Sequence, residues 1–297
     1  MNHIGSVDRR PRGGVVASVG ALLLIAVHVI RAQSPSAPPT FIPDIKFASG
    51  RSVVPYLEGW IRNPDDTFDF VFGYLNRNTV EELVIPPGLN NSVTPDGPDR
   101  GQPTYFLPRR QSRIFRVRVP KDWADKTLTW SITANGVTER VMSKLLPAEE
   151  INERMMIAGG NNTMVFGEED LNKPPSLTIQ PIGDVATGAP VPLTALVTDD
   201  GLPKPRPPAA PRPTEPVSRF QSQRNTSANP SAMVGLRLTW LEYRGPGKVT
   251  FETNPIRVAT GKAVTTARFS APGSYTLIAT ANDGKLSTRG DVTVIVK

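Results

Sequence analysis

Apolar and polar residues alternate along most of this chain in short runs, and each run ends within a few residues at glycine, proline or an Asn/Asp pair. The stretch Phe269-Ser-Ala-Pro-Gly-Ser-Tyr275-Thr-Leu-Ile-Ala-Thr-Ala-Asn-Asp283-Gly284 shows the pattern in full. Phe269 ends one strand, Ala271-Pro272-Gly273 turns the chain, and Tyr275, Leu277 and Ala279 share one face against Thr276, Ile278 and Thr280. The next turn comes at Asn282-Asp283-Gly284. A period of two sustained between such breaks builds strands and leaves no continuous stripe for a long helix. With 31 prolines and 24 glycines in 297 residues, the expectation is an all-β protein with room for two modest hydrophobic cores.

Residues 51–146 read as about seven short strands in two sheets, an N-terminal β-sandwich domain. Val53 to Ile61 and Thr67 to Tyr74 open it, and the second run places Phe68, Phe70, Phe72 and Tyr74 on one face. That stripe is either core or an aromatic binding face. Residues 81–86 form a short strand, and 90–102 read as a long polar loop. In Arg113 to Val119 the residues Phe115, Val117 and Val119 turn inward. Arg116 and Arg118 turn outward, to a basic patch with Arg100, Arg109 and Arg110 or to a solvated face with acidic partners. Asn135-Gly136 joins Thr127–Thr133 to Val137–Val141 as a hairpin. Pro147 to Ile157 is the one helix expected, with Pro147 at its start, Glu149 and Glu150 in its first turn and Gly159-Gly160 beyond its end. It and a polar connector occupy residues 147–175, between the domains.

Residues 176–297 give seven strands: 177–179, 191–197, 236–241, 249–251, 263–269, 275–281 and 291–296. Seven is the immunoglobulin-like number, with Trp240 on the third strand and Tyr275 at the start of the sixth, where a buried Trp and a tyrosine corner belong. Three motifs then stand out: Thr198-Asp199-Asp200-Gly201; Trp240 ahead of Arg244-Gly245-Pro246-Gly247-Lys248-Val249-Thr250-Phe251; and Pro272-Gly273-Ser274-Tyr275-Thr276-Leu277 ahead of Ala281-Asn282-Asp283-Gly284. In these the region resembles the PKD-type and related Ig-like modules of bacterial surface and secreted proteins. The resemblance implies an Ig-like fold and an extracellular setting as spacer, adhesion module or companion to enzymes on polysaccharides, and it implies no catalytic residues. The chain departs from such modules by an insertion, residues 202–232, between the Asp-Asp-Gly turn and the Trp strand.

The chemistry open to the chain is narrow. Residues 1–32 have the form of an export signal, with Arg9, Arg10 and Arg12 ahead of an apolar run from Val15 to Ile30 and small Ala32 at the end. The alternative is a retained membrane anchor. A Pro-rich tether follows at 33–50. His3 and His28, the only histidines, lie in the leader, and there is no cysteine. A mature chain from about Gln33 therefore has neither imidazole nor thiol, which excludes Ser-His-Asp triads, Cys-His pairs and zinc sites of His or Cys. Without residues 1–32 it carries 30 basic and 26 acidic side chains, a net +4, too mild a charge to suggest nucleic acid. The expected location is secreted, periplasmic or at the cell surface, with membrane contact only through an uncleaved signal.

Two surface features are candidate sites. The insertion carries eight prolines and Lys204, Arg206, Arg212, Arg219 and Arg224 against Glu215, a basic extended segment suited to an acidic polymer, or else a passive loop. The loops after the second and sixth strands of an Ig-like sandwich share a pole, which would gather Asp199, Asp200 and Asp283 with Asn282. Such oxygens suit Ca²⁺, and they equally suit turns. The leading function is non-catalytic: binding, adhesion or spacing in the bacterial cell envelope, toward a polysaccharide or protein, with no cofactor beyond Ca²⁺. The rivals are a structural subunit of an envelope assembly and a carboxylate-dependent glycoside hydrolase using Glu81, Glu82, Asp96 or Asp99.

Overall fold

The computed structural model describes residues 47–157, 171–204 and 235–297, which form sixteen strands, β1 to β16, and one short α-helix, α1. The leader falls outside the described residues. Among the described residues no helix is long and apolar enough to cross a membrane. The described residues form one compact unit built on two hydrophobic cores.

The N-terminal lobe places β1 (Val53–Arg62), β2 (Phe68–Asn76) and β6 (Arg109–Val119) in one antiparallel sheet, with β2 central. It faces a second sheet of β4 (Asn91–Thr94), β7 (Leu128–Ala134) and β8 (Val137–Ser143), with β7 central. A small ladder of β3 (Leu83–Val84) and β5 (Tyr105–Phe106) closes one end. Phe68, Phe70, Phe72 and Tyr74 are all buried, so the aromatic stripe is core and not a binding face. Phe72 stacks on Phe115 at 5.2 Å, and both rings form T-shaped contacts with Trp130. The Asn135-Gly136 hairpin forms as the sequence predicts, with φ of 50° and 76° at its two central residues, the left-handed pair that tight strand connections need.

Two expectations are corrected here. The 90–102 loop contains β4, because alternate residues Asn91 and Val93 are fully buried and the strand completes the edge of β7. The helix expected over 147–157 is broken. A 3-10 turn at Pro147–Glu149 gives way to extended Glu150, and α1 covers only Glu153–Ile157. The cause is tertiary: Glu150 bridges to Trp60, and the Ile151 N–H donates to the Trp60 carbonyl at 2.8 Å, which holds this stretch as a strand-like strap over β1. Gly59 makes the approach feasible, because a Cβ there would lie 2.7 Å from Ile151 Cγ2 and 2.8 Å from the Glu149 carbonyl oxygen.

The outward arginines of β6 meet acids. Arg118 donates to both oxygens of Asp69, at 2.8 and 3.2 Å, and Arg116 pairs with Glu153 at 2.5 Å. Burial alone would raise the Asp69 carboxyl; hydrogen bonds from Arg118 and Asn63 and the charges of Arg118 and Arg116 outweigh it and hold the group below the usual carboxylate range. A folded value below the unfolded one adds stability that is present above the unfolded value and is lost as pH falls through the folded one. Arg118→Met is expected to cost about 1–2 kcal/mol at pH 7, since it removes two charge-assisted hydrogen bonds from a buried carboxylate and leaves it to Asn63 and Arg116. Urea denaturation at pH 7 and pH 3 checks this, because the difference from the parent should shrink in acid.

The C-terminal lobe is an Ig-like sandwich. One sheet runs β12 (Val249–Phe251), β14 (Lys262–Phe269), β10 (Val191–Thr198), β9 (Ser176–Ile179), and the other runs β13 (Ile256–Arg257), β11 (Arg237–Arg244), β15 (Gly273–Asn282), β16 (Ser287–Val296). All seven expected strands are present, and two-residue β13 is the addition. Trp240 is 2% exposed and Leu193, Leu277 and Ala279 are fully enclosed. The Tyr275 hydroxyl donates to the Ala271 carbonyl at 2.8 Å while its ring meets Phe269 edge-on at 4.9 Å, which is the tyrosine corner read from the sequence.

Candidate functional sites

Asp199, Asp200 and Asp283 lie at one loop pole of the C-terminal lobe, close enough for Asp199 to feel the charges of the other two. Asp199 and Asp200 follow β10, Asp283 follows β15, and Asn172 of the incoming segment reaches them, its Nδ2 donating to Asp283 Oδ2 at 3.1 Å. Their oxygens organise turns. Asp199 Oδ2 accepts the Gly201 N–H at 3.1 Å; Asp200 accepts from Leu202 and Lys173, both at 2.9 Å; Asp283 Oδ1 accepts from Lys285 and Leu286 at 2.6 and 2.7 Å. The Asp199 carboxyl is pushed up, by burial first and then by the charges of Asp283 and Asp200. The Asp200 carboxyl is pulled down by its bonds from Leu202 and Lys173. Among the described residues no three carboxylates are grouped closely enough to hold a metal ion. The insertion leaves from this pole: Lys204 is exposed there, and Arg206, Arg212, Arg219 and Arg224 lie outside the described residues.

A second constellation lies where the lobes meet, and sequence reasoning missed it. The N-terminal lobe rests on the outer face of the β11-β15 sheet, where Leu241, Tyr243 and Ile278 join the N-terminal core. Polar bonds surround this contact. The Thr104 N–H donates to the Tyr243 carbonyl at 3.1 Å, the Gly245 N–H to Thr104 Oγ1 at 3.2 Å, and the Tyr243 hydroxyl to the Gly101 carbonyl. Arg244 donates to the Gln102 carbonyl at 2.9 Å and pairs with Asp99 at 2.6 Å. That pair draws the Asp99 carboxyl down. Farther along the face, the Ser287 hydroxyl donates to the Ile157 carbonyl at 3.1 Å, and Arg289 donates to the Arg113 carbonyl. The signal was present in the sequence, because Leu241 and Tyr243 are apolar at outward positions of β11, and a strand apolar on both faces is covered on both.

Of the four hydrolase candidates, Asp96 and Asp99 hold Arg100 and Arg244, and Glu81 Oε2 accepts from the Gly50 N–H and Asn135. Glu82 alone approaches another acid, Glu242, at the junction. Glu82 Oε2 accepts the Tyr105 hydroxyl and pairs with Lys248 at 2.8 Å, while Glu242 is 2% exposed. A glycan chain has no access to both groups in this arrangement.

No protein-family model matches the chain, and no curated protein matches it. Solved structures overlap it weakly. A conjugative transposon lipoprotein from Bacteroides eggerthii is 8% identical with a TM-score of 0.24, over 40% of this chain and 95% of that one. The D00-D0 domain of intimin is 12% identical with a TM-score of 0.25, over 82% and 100%. The adhesin InvE of Yersinia pseudotuberculosis is 10% identical with a TM-score of 0.25, over 82% and 58%. Scores this low carry no inference about function. The Ig-like character of the C-terminal lobe stands on its own strand order, β12-β14-β10-β9 against β13-β11-β15-β16.

Proposed function

We propose that the protein is an exported, non-catalytic module of the bacterial cell envelope whose PKD-type sandwich binds an acidic polysaccharide through the basic insertion at the Asp199–Asp283 pole. The observation that carries this reading is the position of the insertion. It departs at Lys204 from the exposed loop pole of an Ig-like sandwich, the end such folds use for recognition. The rest of the mature chain is neutral once the insertion's +4 is set aside, so attraction to an anionic polymer falls to this segment. The basic and apolar leader supports export, and the lack of imidazole and thiol in the mature chain supports a binding role.

The test is binding of the mature protein, and of a version lacking residues 203–231, to purified envelope and plant polysaccharides at low and high salt, with and without Ca²⁺. The deletion is expected to weaken binding to anionic glycans about tenfold or more, and high salt to do the same. Binding that survives both would move the site to another loop surface. No binding to any glycan would favour a spacer or assembly subunit. A gain on adding Ca²⁺ that Asp283→Asn abolishes would assign the pole a cation.

A further inference from the structure

On β11 the inward row runs Leu238, Trp240, Glu242, so a carboxyl occupies a core position at the end of an apolar series. Glu242 Oε2 accepts the Val249 N–H at 2.7 Å, and Oε1 is buried without a partner. The backbone closes over it at Gly245, where a Cβ would stand 2.7 Å from Oε1. Four titratable groups surround it: Glu82 from the segment leading into β3, Lys248 from the β11–β12 turn, Tyr105 of β5 and Tyr275 of β15. Lys248 is already engaged by Glu82 across the junction, so the nearest cation is shared between two acids. A buried carboxylate with one unpartnered oxygen and an acid beside it is costly, and a neutral carboxyl there costs far less.

We propose that the junction is a proton-controlled latch: a proton on Glu242 keeps the Thr104–Gly245–Val249 corner shut, and its release to solvent opens that corner by setting a second negative charge beside Glu82. Burial first, then the Glu82 charge, raises the Glu242 carboxyl, against the Val249 N–H and Lys248, and it is pushed up to about 8. The sign follows from linkage. A folded value above the unfolded one gives stability that is complete below the unfolded value of about 4.3 and is lost progressively as pH rises to the folded value. The latch is therefore tight in mild acid and weakest above pH 8.

Amide hydrogen exchange on the full mature chain, corrected for the intrinsic pH dependence of exchange, tests this. Protection of the Thr104, Gly245 and Val249 amides should fall by up to about tenfold per pH unit between about pH 5 and pH 8 and level off above. The amides of β2 should show no such fall. Glu242→Gln should flatten the junction profile and leave its protection at pH 8 above the parent's. Glu82→Gln, which removes the neighbouring charge and frees Lys248, should bring the levelling point below pH 8. A flat parent profile, an unchanged slope in Glu242→Gln, or an equal fall in the β2 amides overturns the proposal. The parent and Glu82→Gln profiles decide the matter even where Glu242→Gln does not fold.

Discussion

Trp130→Ala is expected to destabilise the N-terminal lobe by about 3–5 kcal/mol. The indole is fully enclosed and packs against the stacked pair of Phe72, at 5.8 Å, and Phe115, at 4.8 Å, in a T-shaped arrangement with each. Truncation removes that buried area and both aromatic contacts and leaves a cavity that the two flanking sheets cannot close. It also removes the Nε1 bond to Asn91 Oδ1 at 3.0 Å. Asn91 is fully buried, with its Nδ2 donating to the Ile85 and Pro103 carbonyls, so its oxygen would be left without a partner inside the lobe. A transition in near-ultraviolet circular dichroism lowered by about 6–20 °C would match this cost for a unit of this size. Trp130→Phe, which keeps the ring and loses the donor, should lose about 1–3 kcal/mol. Equal losses in the two variants would show that packing around Trp130 is not the dominant contribution.

Gly245→Ala is expected to cost about 3 kcal/mol, the upper end of ordinary overpacking. A Cβ at this position would lie 2.3 Å from Tyr275 Cδ1, 2.6 Å from Cε1 and 2.7 Å from Glu242 Oε1. Neither neighbour can yield. Tyr275 is fully buried, anchored by its hydroxyl to Ala271 and packed on Phe269, and Glu242 is held by Val249. The Gly245 N–H also donates to Thr104 across the junction, so any backbone shift that relieves the clash strains the contact between the lobes. Gly284→Ala is the contrast. Its φ of 104° penalises a side chain, but nothing lies within 4 Å of the added Cβ, so about 1 kcal/mol of backbone strain is the whole expected effect. Urea midpoints of the two variants should separate clearly, and a Gly245→Ala midpoint as high as that of Gly284→Ala would contradict the packing described for the tyrosine corner.

Much of the architecture was legible because local signals and long-range packing agreed. In β2 the period of two put Phe68, Phe70, Phe72 and Tyr74 on one face, and of the two uses open to such a stripe the structure shows the core. In the C-terminal lobe Trp240 and Tyr275 sit where a sandwich requires a large buried ring and a corner hydroxyl. The readings that failed were those in which a distant partner overrode local preference. Pro147 to Ile157 has the composition of a helix, yet the Trp60 backbone captures Glu150 and Ile151 and extends them. Asn91 to Thr94 looks like loop, yet the open edge of β7 recruits it as a strand.

The candidate sites divide the same way. Asp199, Asp200 and Asp283 could be brought together from sequence because strand count and chirality fix which loops share a pole, and the turn chemistry of Asp-Gly is local. The junction could not. Glu82 and Glu242 are far apart in the chain, and nothing in the sequence near either names the other; their meeting depends on which sheet face of one lobe docks on the other. By itself the sequence determined the β class, the faces of β2, β6, β10 and β15, the absence of cysteine and the confinement of both histidines to residues 1–32. Leu241 and Tyr243 marked the outer face of β11 as one to be covered, but only the tertiary structure decided that the N-terminal lobe covers it, and that a core glutamate therefore sits beside a second acid away from water. The physical reason is that strand periodicity is set by the backbone within a few residues, whereas the environment of a charge is set by everything that excludes water from it.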